Sequence, residues 1–549
     1  MAFTVEPDAN LPQLMSHLEL LEENDQMTGP SEIQSTPIFT ESVRKFGLSL
    51  AKNPFVQYGL LGGDTNRMMS NVYTASMVST DNDPRLYYNV TAPSSVFICG
   101  SQGSGKSHTL SCLLENCLIP TKANQLPRPL TGIVFHYDTF CSDNGGSPSE
   151  AAYLSSNPDI NVKVLCPPTN IDQIKQRVYS RLPNVKVEEL RFDQADLNTK
   201  RMLDLMAVSS VQGGMPLYLH VITRILRELR IIQQKKRGAF EYAAFKRAID
   251  GEELTPGQKG PLQQRLETLE SFMVEEQVSR SFFATKKKNH ASLFASRGND
   301  WTPMAGQLTI IDLSCPCVTA ETACALFNIC LSLFLEQKAD IGRVVALDEA
   351  HKYMTDSAEC ATLTETLLAT IRLQRHLAAR VIISTQEPTI SPKLLDLCSI
   401  TIVHRFSSPD WLRSLKGHLA GASAIGPGST GDGEQTRTIY HDATSELFSQ
   451  IVALRTGEAL LFASSAILAV SEPVNGGANE LKPCDSDPSL RNSGVADVKK
   501  NIDHEFDTIA SDTPKPSQRP RIVRLEQGVL RLRVRQRITE DGGQSIMAG

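Results

Sequence analysis

A glycine-rich stretch between an apolar run and a helical segment constrains the fold of this chain more than any other feature. Val96–Cys99 predicts a buried strand, the residues from Gly100 to Ser107 have the pattern G-x-x-x-x-G-K-S, and Lys106–Leu118 has helical character. Glycines at these positions let the backbone wrap around a phosphate group, and the helix directs its positive N-terminus at the same place. The stretch therefore predicts a phosphate-binding loop that joins a strand to a helix.

The residues of this loop predict a binding site for ATP and Mg²⁺. We expect Lys106 to contact the β- and γ-phosphates, and the Ser107 hydroxyl to be a ligand of Mg²⁺. The alternative is a glycine-rich turn with an incidental lysine, but the strand before it and the helix after it favour the phosphate loop. The candidate nucleotide-binding residues are Gly100, Ser101, Gln102, Gly103, Ser104, Gly105, Lys106, Ser107 and His108.

Short apolar segments alternate with helical segments on both sides of this loop. Such alternation is typical of a parallel sheet that is covered by helices on both faces. We therefore predict an α/β fold, a doubly wound P-loop NTPase core of the ASCE/RecA-like type with a helical insertion and flexible termini. The predicted core strands are Val96–Cys99, Gly132–Tyr137, Val162–Leu165, Leu308–Leu313, Arg343–Leu347, Arg380–Ser384 and Ile400–Arg405.

A second motif, a pair of acidic residues, follows one of these strands. The buried strand Val344–Leu347 ends in Asp348 and Glu349, which places two carboxylates at the edge of the sheet. We expect Asp348 to hold Mg²⁺ through water and Glu349 to act as the general base that activates the attacking water. A strand that runs into an acidic helix cap has the same letters, and Asp312 at the end of another strand competes for the metal. The second acid favours Asp348 and Glu349.

The next strand ends in Ser384-Thr-Gln386, and the glutamine is a candidate sensor. A polar side chain at that position can contact the γ-phosphate or orient the attacking water. The alternative is an ordinary polar end of a strand.

Taken together, these motifs resemble the HerA/FtsK superfamily of P-loop ATPases, and most of all the HerA-like DNA translocases. The resemblance covers about 95–168 and 305–470, roughly half of the chain. It implies a ring, usually hexameric, that pulls duplex DNA through its pore. The motifs that carry it are the phosphate loop, the run Ala346–Tyr353 (ALDEAHKY), the run Ile371–Arg375 (IRLQR) before Gln386, and the late strand Leu454–Leu460 (LRTGEAL).

The resemblance also implies that an arginine equivalent to Arg372 or Arg375 reaches the nucleotide of the neighbouring subunit. These two arginines join Lys106, Glu349 and Gln386 as candidate catalytic residues. The alternative is a solvated helix face, since residues three apart share one face of a helix. The chain departs from the family in two respects. Only about 40 residues of structured character precede the phosphate loop, where HerA proteins have a small β-barrel, and no winged helix is recognisable. The resemblance therefore supports the chemistry of the motor better than it supports the identity of the substrate.

Changes in composition and in hydrophobic pattern divide the chain into six parts. We predict a flexible N-terminal arm over 1–50, the first part of the ATPase core over 51–168, a helical insertion over 169–300, the second part of the core over 301–470, a disordered linker over 471–519, and an arginine-rich C-terminal strand or tail over 520–549. In the last part Arg531, Arg533, Arg535 and Arg537 alternate with other residues, so a strand places them on one face. This row of arginines is compatible with two interpretations, a charged edge strand and a contact with phosphate.

Composition excludes several classes of protein. The net charge of −6 argues against a generally polycationic nucleic-acid coat, and no uncharged apolar run approaches the length of a membrane span. The N-terminus does not resemble a secretory signal, and most of the 12 cysteines lie in apolar surroundings. We therefore expect a soluble intracellular protein, in the cytoplasm or the nucleus.

Three functions are compatible with these residues. The first is an ATP-driven motor that self-associates into a ring and acts on DNA. The second is a nucleotide-gated switch or scaffold with slow turnover and no nucleic-acid substrate. The third is a P-loop kinase, which the acidic pair makes less suitable, because Asp348 and Glu349 fit the activation of water better.

Overall fold

The computed structural model describes residues 28–70, 82–139, 146–206, 217–236, 238, 240–278, 297–338, 340–355, 357–418, 446–471 and 521–542. The strands are β1 (Ile38–Thr40), β2 (Tyr58–Asp64), β3 (Arg85–Asn89), β4 (Ser95–Cys99), β5 (Asn124–Gln125), β6 (Thr131–His136), β7 (Asn161–Cys166), β8 (Val185–Glu189), β9 (Gln307–Asp312), β10 (Arg343–Leu347), β11 (Ala379–Thr385), β12 (Ile400–His404), β13 (Glu458–Phe462), β14 (Ile467–Ser471), β15 (Arg521–Arg524) and β16 (Leu530–Val534).

The α-helices are α1 (Thr28–Ser35), α2 (Glu41–Ser49), α3 (Thr65–Ser70), α4 (Lys106–Leu118), α5 (Ile171–Gln173), α6 (Thr199–Met206), α7 (Leu217–Lys236), α8 (Tyr242–Asp250), α9 (Pro256–Ser271), α10 (Glu275–Val278), α11 (Ala320–Glu336), α12 (Ala358–Arg372), α13 (Gln374–Leu377), α14 (Pro392–Leu397) and α15 (Pro409–His418). Residues 446–452 are also helical. No helix in the described ranges is both long and apolar enough to cross a membrane.

Eight parallel strands form the core of the sheet, in the order β12-β4-β11-β10-β6-β9-β7-β8. The phosphate-loop strand β4 is separated from the acidic strand β10 by the glutamine strand β11, as the predicted ASCE-type core requires. Strands of a parallel sheet present their carboxyl ends at one edge, which is where ligands bind in open α/β sheets. The phosphate loop, the acidic pair and Gln386 therefore all lie at the same edge.

Side chains of the central strands alternate between two buried layers. On β4, Phe97 and Cys99 face one layer, whereas Val96 and Ile98 face the other. The first layer is filled by α11 and α12, and the second by α4. Because both faces are covered by helices, the strands are apolar throughout, and this confirms the doubly wound α/β fold that the sequence predicted.

The sheet continues beyond β12 through seven further strands, in the order β13-β16-β2-β3-β1-β14-β15. The C-terminal strand β16 lies between β13 and β2 and is antiparallel to both. A segment near the end of the chain is thus an interior strand of the sheet, next to the strand that follows Gly457.

Three segments differ from the sequence prediction. The flexible arm predicted over 1–50 is folded over Thr28–Ser49, where β1 pairs with β3 and β14, while residues 1–27 lie outside the described residues. The insertion predicted over 169–300 contains β8 after the short helix α5. This strand extends the sheet at its edge and is only partly buried, so it carries no long apolar run. The predicted C-terminal tail contains β15 and β16, which have partners in the sheet.

The helices described in the remainder of the insertion have a core of their own. Helices α6 to α9 bury Leu219, Ile222 and Leu226 against Leu262, Leu266 and Leu269. These residues recur at three- and four-residue steps, which is the spacing that places them on one helix face. The predicted linker over 471–519 lies outside the described residues except for Ser471 at the end of β14.

Candidate functional site

The phosphate loop has the backbone shape that its glycines permit. Gly103 and Gly105 have φ angles of 71° and 109°, in the left-handed region that side chains disfavour, and α4 begins immediately afterwards at Lys106. No heavy atom other than the neighbours in the chain lies within 4 Å of a Cβ placed on Gly103, so conformation rather than space requires glycine there. The loop is anchored by the amide of Ser101, which donates to the carbonyl oxygen of Arg405 over 2.9 Å.

Lys106 is a buried cation at the start of α4. Its side chain is 4% exposed, and its Nζ donates to the carbonyl oxygen of Ser101 over 3.1 Å. Burial lowers the pKa of Lys106, and the nearby carboxylates of Glu349 and Asp348 partly offset this effect. A buried ammonium group whose direct contact is a neutral carbonyl is well placed to exchange it for an anionic phosphate.

Asp348 is buried at the end of β10, beside a histidine that sequence analysis missed. The imidazole Nδ1 of His136 lies 3.4 Å from Asp348 Oδ2, and the Ser149 hydroxyl lies 3.5 Å from the same oxygen. Burial acts to lower the pKa of His136, but Asp348 and Asp312 together outweigh it and raise that pKa. His136 is the last residue of β6. Its position at the carboxyl end of a strand was the sequence signal that could have identified it as a site residue.

The second carboxylate oxygen of Asp348 distinguishes it from Asp312, the other candidate for holding the metal. Asp348 Oδ1 is buried and has no hydrogen-bond partner among the described residues. Asp312, by contrast, accepts from the Tyr179 hydroxyl over 2.6 Å and from the Ser314 amide over 3.0 Å. Since both Asp312 oxygens are occupied, Asp348 is the carboxylate with an oxygen to spare for Mg²⁺ or its water shell.

These donors fit Mg²⁺. Mg²⁺ in nucleotide sites is held by one or two protein oxygens together with phosphates and water. Ser107 lines the cavity beside the phosphate loop, and Asp348 offers an oxygen with no protein partner. Within the described ranges, no group of three or more His, Cys, Asp or Glu side chains is arranged to hold a metal ion.

Glu349 and Gln386 are brought into direct contact. The Gln386 side-chain amide donates to Glu349 Oε2 over 3.1 Å, and His351 Nδ1 lies 3.4 Å from the same oxygen. Glu349 has a φ of 48° and a ψ of 45°, a left-handed conformation that costs energy for a residue with a side chain. Glu349 lines the cavity beside the phosphate loop.

Arg372 and Arg375 lie away from this cavity. Both are exposed, at the end of α12 and on α13, just before β11 begins at Ala379. They are therefore at the opposite edge of the sheet from Gln386, which follows the carboxyl end of β11. Neither arginine can reach the nucleotide site of its own chain from there, so any role of theirs at a nucleotide requires another subunit.

The C-terminal segment forms one wall of the cavity, which sequence analysis did not predict. The cavity has a volume of about 440 Å³ and lies between the phosphate loop, the two residues that precede β13, and the end of β16 with the residues that follow it. Its lining includes Glu349 and Glu150 and, from the C-terminal segment, Arg533, Arg535 and Asp541. The arginine row that was open between an edge strand and a phosphate contact thus lies partly in the candidate site.

A strand–loop–helix with these φ angles, set in a parallel sheet with an acidic strand two places away, decides the fold. It is that of a P-loop NTPase. The P-loop candidates Lys106 and Ser107 and the base candidate Glu349 line one cavity, Asp348 precedes Glu349 at the end of β10, and Gln386 contacts Glu349.

Comparisons with known proteins find similar solved structures only at low sequence identity and low TM-score. No family model and no curated protein sequence matches the chain. It is similar to the structure of VirB4 of Thermoanaerobacter pseudethanolicus, with 11% identity over 74% of this chain and 93% of that one and a TM-score of 0.38. It is also similar to the plasmid coupling protein TrwB in complex with an ATP analogue, with 12% identity over 74% and 91% of the two chains and a TM-score of 0.36.

A third similar structure is the genome packaging NTPase B204 from Sulfolobus turreted icosahedral virus 2 in complex with ATP-gammaS. The identity is 9% over 67% of this chain and 91% of that one, with a TM-score of 0.23. At such identities the function of this chain has to be argued from its own residues.

Proposed function

We propose that this chain binds ATP with Mg²⁺, hydrolyses it, and is the motor subunit of a HerA/FtsK-like ring that translocates or remodels DNA. The observation that carries the ATPase proposal is that the phosphate loop and Glu349 line one cavity. The hydrogen bond from Gln386 to Glu349 supports hydrolysis over slow nucleotide-gated switching, because a positioned base serves turnover rather than binding.

Each residue of the site has a distinct task in this proposal. Lys106 contacts the β- and γ-phosphates, while Ser107 holds Mg²⁺ directly and Asp348 holds it through water. Bound Mg²⁺ neutralises charge on the phosphates. Glu349 takes the proton of the attacking water, and Gln386 holds that carboxylate and senses the γ-phosphate.

The ring and the DNA substrate come from the motif resemblance and from the exposed arginines. Arg372 and Arg375 have no hydrogen-bond or ion-pair partner among the described residues, and they are placed to meet a neighbouring subunit rather than their own site. A guanidinium from a neighbour stabilises the charge on the transferring phosphoryl group. The insertion also has a run of three lysines at 286–288, which lies outside the described residues.

A combined binding and turnover assay tests the ATPase. Lys106→Ala should weaken the binding of a fluorescent ATP analogue, whereas Glu349→Gln should bind it normally and hydrolyse ATP at least ~100-fold more slowly. Asp348→Asn should raise the Mg²⁺ concentration needed for half-maximal turnover, and Asp312→Asn should not. Glu365→Gln, an exposed glutamate on α12, is the matched control. Wild-type turnover in Glu349→Gln contradicts the assigned base.

Turnover with different polymers separates the motor from the switch. Duplex DNA should stimulate ATP hydrolysis, and its binding should weaken steeply as salt concentration rises, because phosphate contacts release condensed counterions. Single-stranded DNA and RNA of equal length are the comparison polymers. Slow turnover that no polymer changes, without salt-sensitive binding, would favour the nucleotide-gated switch.

A further inference from the structure

The four arginines of the C-terminal row differ in their partners. Arg531 lies 2.8 Å from Glu458, Arg535 lies 2.7 Å from Glu115, and Arg537 lies 3.1 Å from Glu150. Arg533 is exposed and has neither an ion-pair nor a hydrogen-bond partner for its side chain among the described residues. It is also one of the residues that line the cavity beside the phosphate loop. Among the described residues, Arg533 is thus the arginine of the row that lines the candidate nucleotide site without a counter-ion, whereas Arg535, which lines it too, pairs with Glu115.

The segment that carries Arg533 is fixed to the phosphate-loop helix. Glu115 on α4 is fully buried and accepts hydrogen bonds from the Arg535 guanidinium, the Ile538 amide and the Thr539 amide and hydroxyl. Arg535 also donates to the carbonyl oxygens of Leu60 and Cys112. With β16 paired on both sides, the backbone at Arg533 has a defined position relative to the phosphate loop.

The C-terminal segment contacts the residues that follow the phosphate loop at His108. His108 donates from Nε2 to the carbonyl oxygen of Arg535 over 2.8 Å, and Asp541 lies 3.7 Å from its Nδ1. His108 follows Lys106 and Ser107 on the first turn of α4, and all three residues line the cavity. Glu349 lines the same cavity from the acidic strand. The nucleotide would therefore lie between the general base and the C-terminal segment.

We infer that Arg533 is a nucleotide-binding residue that the C-terminal strand delivers to the site of its own chain, where it binds a phosphate group of the nucleoside triphosphate. Guanidinium groups bind phosphates with charge-assisted hydrogen bonds, and an unpaired guanidinium in a cavity with a phosphate loop has that anion as its natural partner. Among the described residues no ion pair joins Arg533 to the carboxylates that line the cavity with it, since Glu150 and Asp541 pair with Arg537, and Glu349 contacts Gln386 and His351.

This inference rests on the proposed function, because it requires that the cavity binds ATP. The test measures the affinity of the full-length protein for fluorescent ATP and ADP analogues in the presence of Mg²⁺. Arg533→Ala should weaken binding on the order of tenfold or more, the usual scale for the loss of a hydrogen bond to a charged group. Arg533→Lys should recover part of the affinity, since it keeps the charge without the planar fork.

The matched control is Arg531→Ala. Arg531 lies on the same strand and the same face two residues earlier, but it pairs with Glu458 and does not line the cavity. It should bind ATP like the wild type. If Arg533→Ala binds ATP like the wild type, or if Arg531→Ala loses as much affinity, the assignment of Arg533 is wrong. Weaker binding of duplex DNA by Arg533→Ala with unchanged ATP affinity would also overturn it.

The two failures are distinguishable. If the wild type shows no ATP binding that depends on Lys106, the proposed function fails. If Lys106→Ala loses binding and Arg533→Ala does not, only the role of Arg533 fails. Circular dichroism and thermal unfolding of each variant show whether the sheet is intact, and the recovery by Arg533→Lys separates a lost charge from a lost fold.

Discussion

The side-chain amide of Gln386 donates a hydrogen bond to the carboxylate of Glu349 over 3.1 Å. Gln386 follows the carboxyl end of β11 and Glu349 follows that of β10, and the two strands pair in parallel register, with Leu347 opposite Ile383. The contact is therefore set by the sheet itself. It holds the general-base candidate at the edge of the cavity in a left-handed backbone conformation.

Loss of this contact should slow hydrolysis without weakening nucleotide binding. We expect Gln386→Ala to lower kcat by at least ~10-fold, because both the orientation of Glu349 and the polar group facing the reacting phosphate are lost. The affinity for a fluorescent ATP analogue should stay near that of the wild type. A variant with normal kcat would show that Gln386 is only a polar end of a strand.

If Arg372 or Arg375 serves the site of a neighbour, activity should depend on assembly. Specific ATPase activity should rise with protein concentration, since an arginine finger is worth roughly 10³–10⁵ in rate. Mixing the double variant Arg372→Ala/Arg375→Ala with Glu349→Gln should restore part of the activity, because some interfaces then join an intact base to an intact arginine.

Mixed oligomers must be shown to form, for example by pulling down one tagged variant with the other. No recovery in such oligomers, or full activity of the double arginine variant alone, would leave a self-contained ATPase. Single variants of Arg372 and Arg375 in the same assay then show which of the two is the finger.

The buried pair Glu115–Arg535 should be a main determinant of stability near the site. Glu115→Ala leaves a buried guanidinium without its carboxylate and removes the acceptor of the Thr539 amide, a change that typically costs about 3–5 kcal/mol. We expect a clear fall in the midpoint of thermal unfolding and faster proteolysis of the C-terminal segment. Glu32→Gln, which breaks an exposed pair with Arg524, should change stability by about 1 kcal/mol or less.

His404 should make the phosphate loop sensitive to acid. It is fully buried, donates from Nδ1 to the carbonyl oxygen of Glu458 and contacts the Thr109 hydroxyl with Nε2. Burial lowers the pKa of His404 to about 4, with Lys106 and His108 adding to the effect. Because the unfolded chain takes up a proton near pH 6.5 and the folded chain does not, stability is full above pH 6.5 and falls as the pH drops toward 4.

The loss attributable to His404 reaches about 3 kcal/mol at the acidic end of this range. The measurement is the unfolding midpoint of the wild type and of His404→Gln at pH 7.5 and pH 5. The variant should show a smaller difference between the two pH values. His220→Gln, an exposed histidine on α7, should leave the wild-type difference unchanged. An equal difference in the wild type and His404→Gln would contradict the prediction.

The central sheet and the motifs at its edge could be predicted from local sequence. Strands such as Val96–Cys99 are apolar on both faces because helices cover both faces, and that information lies in the strand itself. The phosphate loop and the pair Asp348–Glu349 are similarly local, since the chemistry needs particular residues a few positions apart. Their meeting at one edge follows from the parallel arrangement.

The partners and the burial of the C-terminal arginines, by contrast, depend on the tertiary structure. The row of arginines is typical of an exposed edge, yet Arg535 is buried because Glu115, 420 residues earlier, supplies its carboxylate. Nothing in the local pattern distinguishes Arg533 from its neighbours, because the difference is whether a distant carboxylate lies opposite. A charge can be buried or directed into a cavity only by partners that folding brings together, so its role is not encoded in the residues beside it.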